Sequence, residues 1–335
     1  MDNDIKIVDV AKRAGVSTAT VSRVLNNSEA VKEATKRKVL EAIDELGYYP
    51  NAAAKNLRSQ KSYTIGVIVP DIHSSYFAEI IKGIVSVAYP NQFKVVICDA
   101  DNQAEKEREY LNLLQDRTAD AMIVVTPMLP ESELSSYVRK RYVIGVVGRR
   151  MKDEAIPCVY TDNVAFSIHA MRHLIGLGHR DIAFLSGYAN AIDSYERLEG
   201  YMKGLMEHQI PFRPELIENG NFNERGGYEA MRRLHARGAA FTAIYSANDE
   251  MAFGVYKACE ELDLPIPSRL AVVGVDNNRV SRFVHPALST VEQPKYEMGV
   301  AIAEAIIGVV RGIPSELPVR MIPSKLLIRA SSGGE

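Results

Sequence analysis

Seven short apolar runs constrain this chain more than any other feature: TIGVIVP, FKVVICDA, AMIVV, YVIGVVG, DIAFLSG, FTAIYS and LAVVGVD, which recur from Tyr63 as far as Asp276. They read as strands apolar on both faces. Between them lie amphipathic stretches of helical length, among them Tyr76 to Ala88, Lys106 to Gln115, Val164 to Leu177 and Asp249 to Leu262. Buried strands alternating with helices imply parallel sheets covered by helices. The runs are too many for one compact sheet. The pattern therefore predicts two α/β layers with a boundary near Thr161 to Val164 and a cleft at the carboxyl ends of their strands, where small molecules bind. The helix Lys295 to Arg311 and the run VRMIPSKLLIRAS close the fold.

A different grammar precedes Tyr63. Residues Ile5 to Asn26, IKIVDVAKRAGVSTATVSRVLN, read as two short helices with a break at Gly15. Ile7, Val10, Ala11 and Ala14 share one face at i, i+3, i+4, i+7 spacing, and the glycine permits the reversal. Ser17 is placed to cap the second helix. Val21, Val24 and Leu25 fall on its core side, while Thr18, Ala19, Ser22, Arg23 and Asn26 sweep the other. Small hydroxyls with one forked cation suit a helix lying in a DNA major groove; the alternative is an ordinary helical hairpin with a solvated face. A third helix, Glu33 to Leu46, carries Val39, Ala42, Ile43 and Leu46 as its buried stripe and ends at Gly47. After Pro50, Ala52 to Arg58 has high helix propensity yet is too short to be stable alone. It reads as a linker helix that folds on docking, or as a plain tether.

Charge separates the two parts. Residues 1 to 60 carry 10 Lys+Arg against 8 Asp+Glu, and since the chain carries 40 against 42, the remainder holds 30 against 34. The excess of +2 in the first part and −4 in the rest has the sign expected if only the amino-terminal piece meets phosphate. Cys98, Cys158 and Cys259 are far apart, with no CxxC, and read as buried small hydrophobes in a reducing compartment. The start lacks a signal-peptide run and no stretch reaches the length of a membrane span, so the expected location is the cytoplasm. Catalytic patterns are absent: no GxxxxGK[ST] loop, no GxSxG elbow, and HAMRH, with His169 and His173 at i, i+4, lacks the glutamate of a zinc protease. Neither catalysis, a metal nor a cofactor is expected.

The segments DVAKRAGVSTATVSRVLN, TKRKVLEAIDELGYYPNAAAKNLRSQKS, IGVIVPDI with YFAEIIKGI, GHRDIAFLSG, RLEGYMKG, ANDEMAFG, GVDN and HPALSTVEQP resemble, in order and over nearly the whole chain, the signatures of the lactose-repressor/galactose-repressor (LacI/GalR) family of bacterial transcriptional regulators. The resemblance implies a helix-turn-helix headpiece (1–49), a hinge helix or linker (50–62), and a core (63–335) like a periplasmic sugar-binding protein. The core divides into an N-subdomain of about 63–162 and 294–323 and a C-subdomain of about 163–293 and 324–335. It also implies a homodimer on double-stranded operator DNA. Carried over residue by residue, Thr18, Ala19 and Arg23 match base-reading positions. Ser17, Ser22 and Asn26 match phosphate or supporting contacts, Leu57 matches a hinge leucine that wedges into the minor groove, and Asn51 and Lys55 lie beside it.

For the effector, the family positions fall on Tyr76, Phe77, Arg149, Arg197, Phe222, Asn248 and Asp276. Forked Arg with acceptor-rich Asp and Asn suits vicinal hydroxyls, and flat aromatics suit a sugar ring or a base. Gly148 stands where many relatives carry aspartate, so that hydroxyl contact is missing, and Lys32 replaces a commoner capping serine. The expected function is a repressor whose operator affinity is modulated by a sugar-like molecule. The alternatives are co-repression by a purine-type ligand or a phosphoprotein, and, on the same fold, a solute-binding protein or an enzyme.

Overall fold

A computed structural model describes residues 5–25, 31–48, 61–313 and 319–333. The chain divides into two compact units, Met1–Ser62 and Tyr63–Glu335.

In the first unit, α1 (Ile7–Ala14), α2 (Thr18–Leu25) and α3 (Glu33–Leu46) enclose a core of Val10, Ala11, Val21, Val24, Val39 and Ala42. Asp9 caps the start of α1, its Oδ2 accepting from the Lys6 amide at 2.8 Å. Gly15, at φ +67°, makes the left-handed turn out of α1. The Ser17 hydroxyl accepts the Thr20 amide at 3.1 Å and so caps α2. Lys32 precedes α3 without a side-chain cap bond. An ion pair from Arg13 to Glu45 joins α1 to α3.

The second unit holds two six-stranded sheets. The first contains β1 (Thr64–Val69), β2 (Lys94–Asp99), β3 (Ala121–Val125), β4 (Val143–Val147), β5 (Cys158–Tyr160) and β11 (Val319–Met321), in the order β11-β5-β4-β3-β1-β2. Its helices α4 (Ser75–Ala88), α5 (Ala104–Gln115), α6 (Glu131–Arg139) and α11 (Lys295–Val310) form, with the sheet, one core built around Ile80, Ile84, Ile302 and Ile306 and another built around Leu111, Leu114, Leu134 and Tyr137. Helices α4 and α11 approach at two glycines. A Cβ on Gly83 would lie 2.2 Å from the Tyr296 carbonyl oxygen, and one on Gly299 would lie 2.1 Å from that of Ile80.

The second sheet contains β6 (Ile182–Ser186), β7 (Ile217–Asn219), β8 (Ala243–Ser246), β9 (Ala271–Asp276), β10 (Ser289–Glu292) and β12 (Lys325–Leu327), in the order β12-β10-β9-β8-β6-β7. Four helices pack with it: α7 (Asn163–Gly176), α8 (Ile192–Glu207), α9 (Glu224–Ala236) and α10 (Asp249–Glu261). All pairings in both sheets are parallel except β10 with β12. The chain passes between the two lobes three times, at 161–162, 293–294 and 322–324.

One strand departs from the sequence expectation. FKVVICDA reads as a buried run, but β2 is the edge of its sheet, and Val96 and Ile97 are each 43% exposed. Its apolar content reflects strand propensity without burial on both faces. Strands β5, β7, β10, β11 and β12, three or four residues each, show no period in sequence.

Candidate functional sites: the headpiece helix and the interlobe cleft

On α2 the burial follows the helical period: Val21 and Val24 are buried, Ser17, Thr18, Ala19 and Arg23 are exposed, and Ser22 is half-buried. The exposed arc is available to a groove, while the buried one holds the helix to α1 and α3. Asn26, Asn51, Lys55 and Leu57 lie outside the described residues.

The second site lies between the two lobes. A cavity enclosing roughly 750 Å³ of non-protein space, part of it open to solvent, is lined from the first lobe by Asp71, Tyr76, Phe77, Asn102 and Met128, and from the second by Tyr188, Asp193, Arg197, Phe222, Asn248 and Asp276, among others. Three lining residues stand at or just beyond strand ends: Thr126 after β3, Asn248 after β8, and Asp276 as the last residue of β9. Six of the seven effector residues expected from sequence thus meet at one cavity. Arg149 is not among the lining; its Nη1 donates to the Leu129 carbonyl at 3.1 Å.

Arg197 is the buried cation of the cavity lining, 4% exposed. Its Nε donates to Asn163 Oδ1 at 3.0 Å, Nη1 donates to the Ala247 carbonyl, and Nη2 lies 3.5 Å from Asp193 Oδ2, one turn earlier on α8. The guanidinium carbon is 5.6 Å from the ring centroids of both Phe166 and Phe222, within cation–π range. Phe222 reaches this position because residue 187 is glycine: a Cβ there would stand 1.9 Å from the phenyl ring. Asn248 fixes the same segment. Its Oδ1 accepts from the Met251 amide at 3.0 Å, capping α10, and its Nδ2 donates to the Phe222 carbonyl at 3.0 Å.

Asp276 is 3% exposed and has φ +116°, a region L-residues seldom occupy. The strained segment is held by Lys295, itself buried, whose Nζ donates to the Asp276 carbonyl and lies 3.5 Å from that of Asn277. Burial pushes the Asp276 carboxyl up to about 6, against the pull of Arg197 and Lys295. Its Oδ1 accepts from Gln293 Nε2 at 2.8 Å, and Gln293 Oε1 in turn accepts from Thr161 Oγ1 at 2.9 Å and from the Tyr76 hydroxyl at 3.4 Å. One buried amide therefore joins two interlobe crossings, a helix of the first lobe and a strand of the second.

Other bonds span the lobes at the cleft. Ser75 Oγ donates to Glu250 Oε1 at 3.1 Å, and Asn190 Nδ2 lies 3.5 Å from Met128 Sδ. Burial, with Glu224 nearby, pushes Glu250 up to about 7. The loop carrying Met128 is anchored from below by buried Glu107, whose carboxylate accepts the Met128 amide at 3.0 Å and the Leu129 amide at 3.0 Å. Gln293, Asp193, Ser75, Glu250 and Glu107 are not singled out by sequence. Of these only Asp193 carried a signal, lying four residues before Arg197 on one helix face.

A side chain at position 148 would meet local obstacles. Gly148 has φ +85°, and a Cβ there would meet Thr126 Cγ2 at 2.6 Å. His173 donates to or accepts from Ser332 Oγ at 2.8 Å, and among the described residues no group of three His, Cys, Asp or Glu is placed to hold a metal ion. No described helix is long and apolar enough to cross a membrane.

Residues 6–51 match the model of bacterial regulatory proteins of the lacI family, and residues 171–332 match a periplasmic binding protein-like domain. Catabolite control protein A of Priestia megaterium is 32% identical over 330 residues, covering 98% of this chain and 99% of that protein. The chain belongs to the lacI family of bacterial regulatory proteins. Among solved structures, the lac repressor dimer bound to operator and the anti-inducer ONPF matches with a TM-score of 0.87 at 26% identity, covering 98% of this chain and 99% of that one. A complex of the transcriptional regulator CelR with cellobiose matches with a TM-score of 0.74 at 26% identity, over 98% and 99% of the two chains. As a lacI-family member, this protein is a DNA-binding transcriptional regulator modulated by a small molecule.

Proposed function

We propose that the regulator acts as a homodimeric repressor on a pseudo-palindromic operator and that its effector is a hydroxyl-rich, sugar-like molecule bound in the interlobe cleft. The division into headpiece 1–49, hinge 50–62 and core 63–335 belongs to the same reading. Thr18, Ala19 and Arg23 read base edges, and Ser17, Ser22 and Asn26 contact phosphate or support those that do. Asn51, Lys55 and Leu57 act at the minor groove, where an apolar wedge kinks the duplex and gains contacts in return. The protein binds its effector without turning it over, and it works in the cytoplasm.

The observation that carries the effector reading is the convergence of Arg197, Asp276 and Phe222 on one cavity between the lobes. A buried carboxylate, a guanidinium and aromatic side chains lining one cavity provide acceptors, a donor and apolar area for a ring bearing vicinal hydroxyls. The cellobiose held by CelR, a structural relative, is of this kind. A thermal-shift screen with sugars, sugar phosphates and nucleobases tests it, since a ligand bound only by the folded state raises the melting temperature. A sugar is expected to raise it in the wild type and not in Arg197→Ala. A shift given by nucleobases alone would replace the sugar reading with the purine one.

A further inference from the structure

The cleft presents one buried arginine and three aspartates. Asp71, Asp193 and Asp276 line the cavity with Arg197, and no lysine or histidine lines it among the described residues. Cavities that bind phosphorylated or carboxylated ligands turn a free guanidinium fork, a lysine or a run of backbone N–H groups toward the anion. Arg197 is not a free fork. Three of its N–H groups are engaged, Nε by Asn163, one on Nη1 by the Ala247 carbonyl and one on Nη2 by Asp193, 3.5 Å away, and its guanidinium carbon lies 5.6 Å from the centroids of both the Phe166 and Phe222 rings. The side chain of Asp193 is only 16% exposed and sits one helical turn from the arginine.

Resting on the reading of this cleft as the effector site, we propose that Asp193 is its charge filter: by occupying Arg197 it restricts the effector to uncharged, unphosphorylated, hydroxyl-rich molecules. An anion entering the cavity would displace Asp193 from Arg197 or lie beside the carboxylates of Asp193 and Asp276, and like charges repel. A neutral polyol meets no such barrier. Its hydroxyls donate to Asp193 and to Asp276, whose Oδ2 is not used by Gln293. Its ring packs on Phe77 or Phe222.

The test uses matched pairs on the full-length protein by isothermal titration: glucose with glucose 6-phosphate, cellobiose with its 6-phosphate, and galactose with galacturonate. The neutral member of at least one pair is expected to bind, and its anionic partner to bind more than about tenfold more weakly. Asp193→Asn is expected to shrink that ratio by about tenfold, and Asp193→Glu to restore it. A purely structural role for Asp193 would weaken both members alike and leave the ratio unmoved, which would overturn the assignment. Should Asp193→Asn not fold, the wild-type comparison still decides, because an anionic member binding as tightly as its neutral parent is incompatible with the filter. If no member of any pair binds, the sugar reading of the cleft fails, and the filter with it; if neutral members bind without discrimination, only the filter fails.

Discussion

Gln293 holds Asp276 through its amide nitrogen, at 2.8 Å, while the oxygen of the same amide accepts from Thr161 and Tyr76. The cavity-lining carboxylate of Asp276 and the interlobe crossings therefore share one buried side chain, 3% exposed. Gln293→Ala leaves Asp276, Thr161 and Tyr76 each short of a partner, and an unsatisfied buried polar group costs about 1–3 kcal/mol. The expected outcome is effector affinity lowered by roughly tenfold or more, with a lower melting temperature. Titration calorimetry beside a thermal melt checks both, and unchanged effector affinity would remove Gln293 from the account.

Glu250 gives the core a pH dependence of definite sign. Its folded-state pKa of about 7 lies above the ordinary 4.5, so the native state holds a proton there that the unfolded chain has lost. That contribution to stability is fully present below about pH 4.5 and is lost as pH rises through about 7. Glu250→Gln mimics the protonated form. The variant is expected to be more stable than wild type by on the order of 1–2 kcal/mol near pH 8, a figure reduced for the group's partial exposure, and to match it in acid. Denaturant melts at the two pH values check this; the opposite ordering near pH 8 would contradict it.

Gly148→Asp should not restore a lost sugar contact. At φ +85°, with Thr126 Cγ2 at 2.6 Å from the new Cβ, the substitution combines backbone strain with a clash. A destabilisation of about 2–3 kcal/mol is expected. Adding Thr126→Ser removes the clashing methyl and should recover part of it, leaving the backbone cost. A double-mutant cycle by denaturant melts measures the recovery, and strict additivity would rule out the clash.

In the headpiece, Arg23→Ala is expected to weaken operator binding by about 1–3 kcal/mol if the exposed guanidinium makes a bidentate base contact, and to relax the preference for operator over random DNA. Fluorescence anisotropy with both DNAs reads the two effects. An unaltered preference would return Arg23 to the solvated face of an ordinary hairpin.

Where sequence was informative, a physical period carried the information. The apolar runs mark the central strands, and Tyr76 to Ala88 and Val164 to Leu177 agree with α4 and α7 to within one residue, since long amphipathic helices declare their buried face. The exposure of Val96 and Ile97 did not show, because edge position is a property of topology. Tyr76, Phe77, Arg197, Phe222, Asn248 and Asp276 were named by motif and meet at one cavity, whereas Arg149 stands apart. The partners that tie the lobes were silent in the sequence. Ser75 and Glu250 are 175 residues apart, and Tyr76 and Gln293 are 217 apart, so nothing local distinguishes them from other polar residues.

On the proposed function, cleft and headpiece exchange free energy. Coupling between an effector and an operator is typically worth about 1–3 kcal/mol and must be reciprocal. The most direct measurement is the dissociation constant of the sugar found by the screen, on the full-length protein, with and without saturating operator DNA. A change of about 5–150-fold is expected, equal to the factor by which that sugar changes operator affinity, and absent in Arg197→Ala. The same dissociation constant with and without operator, for a sugar that binds the cleft, would contradict it.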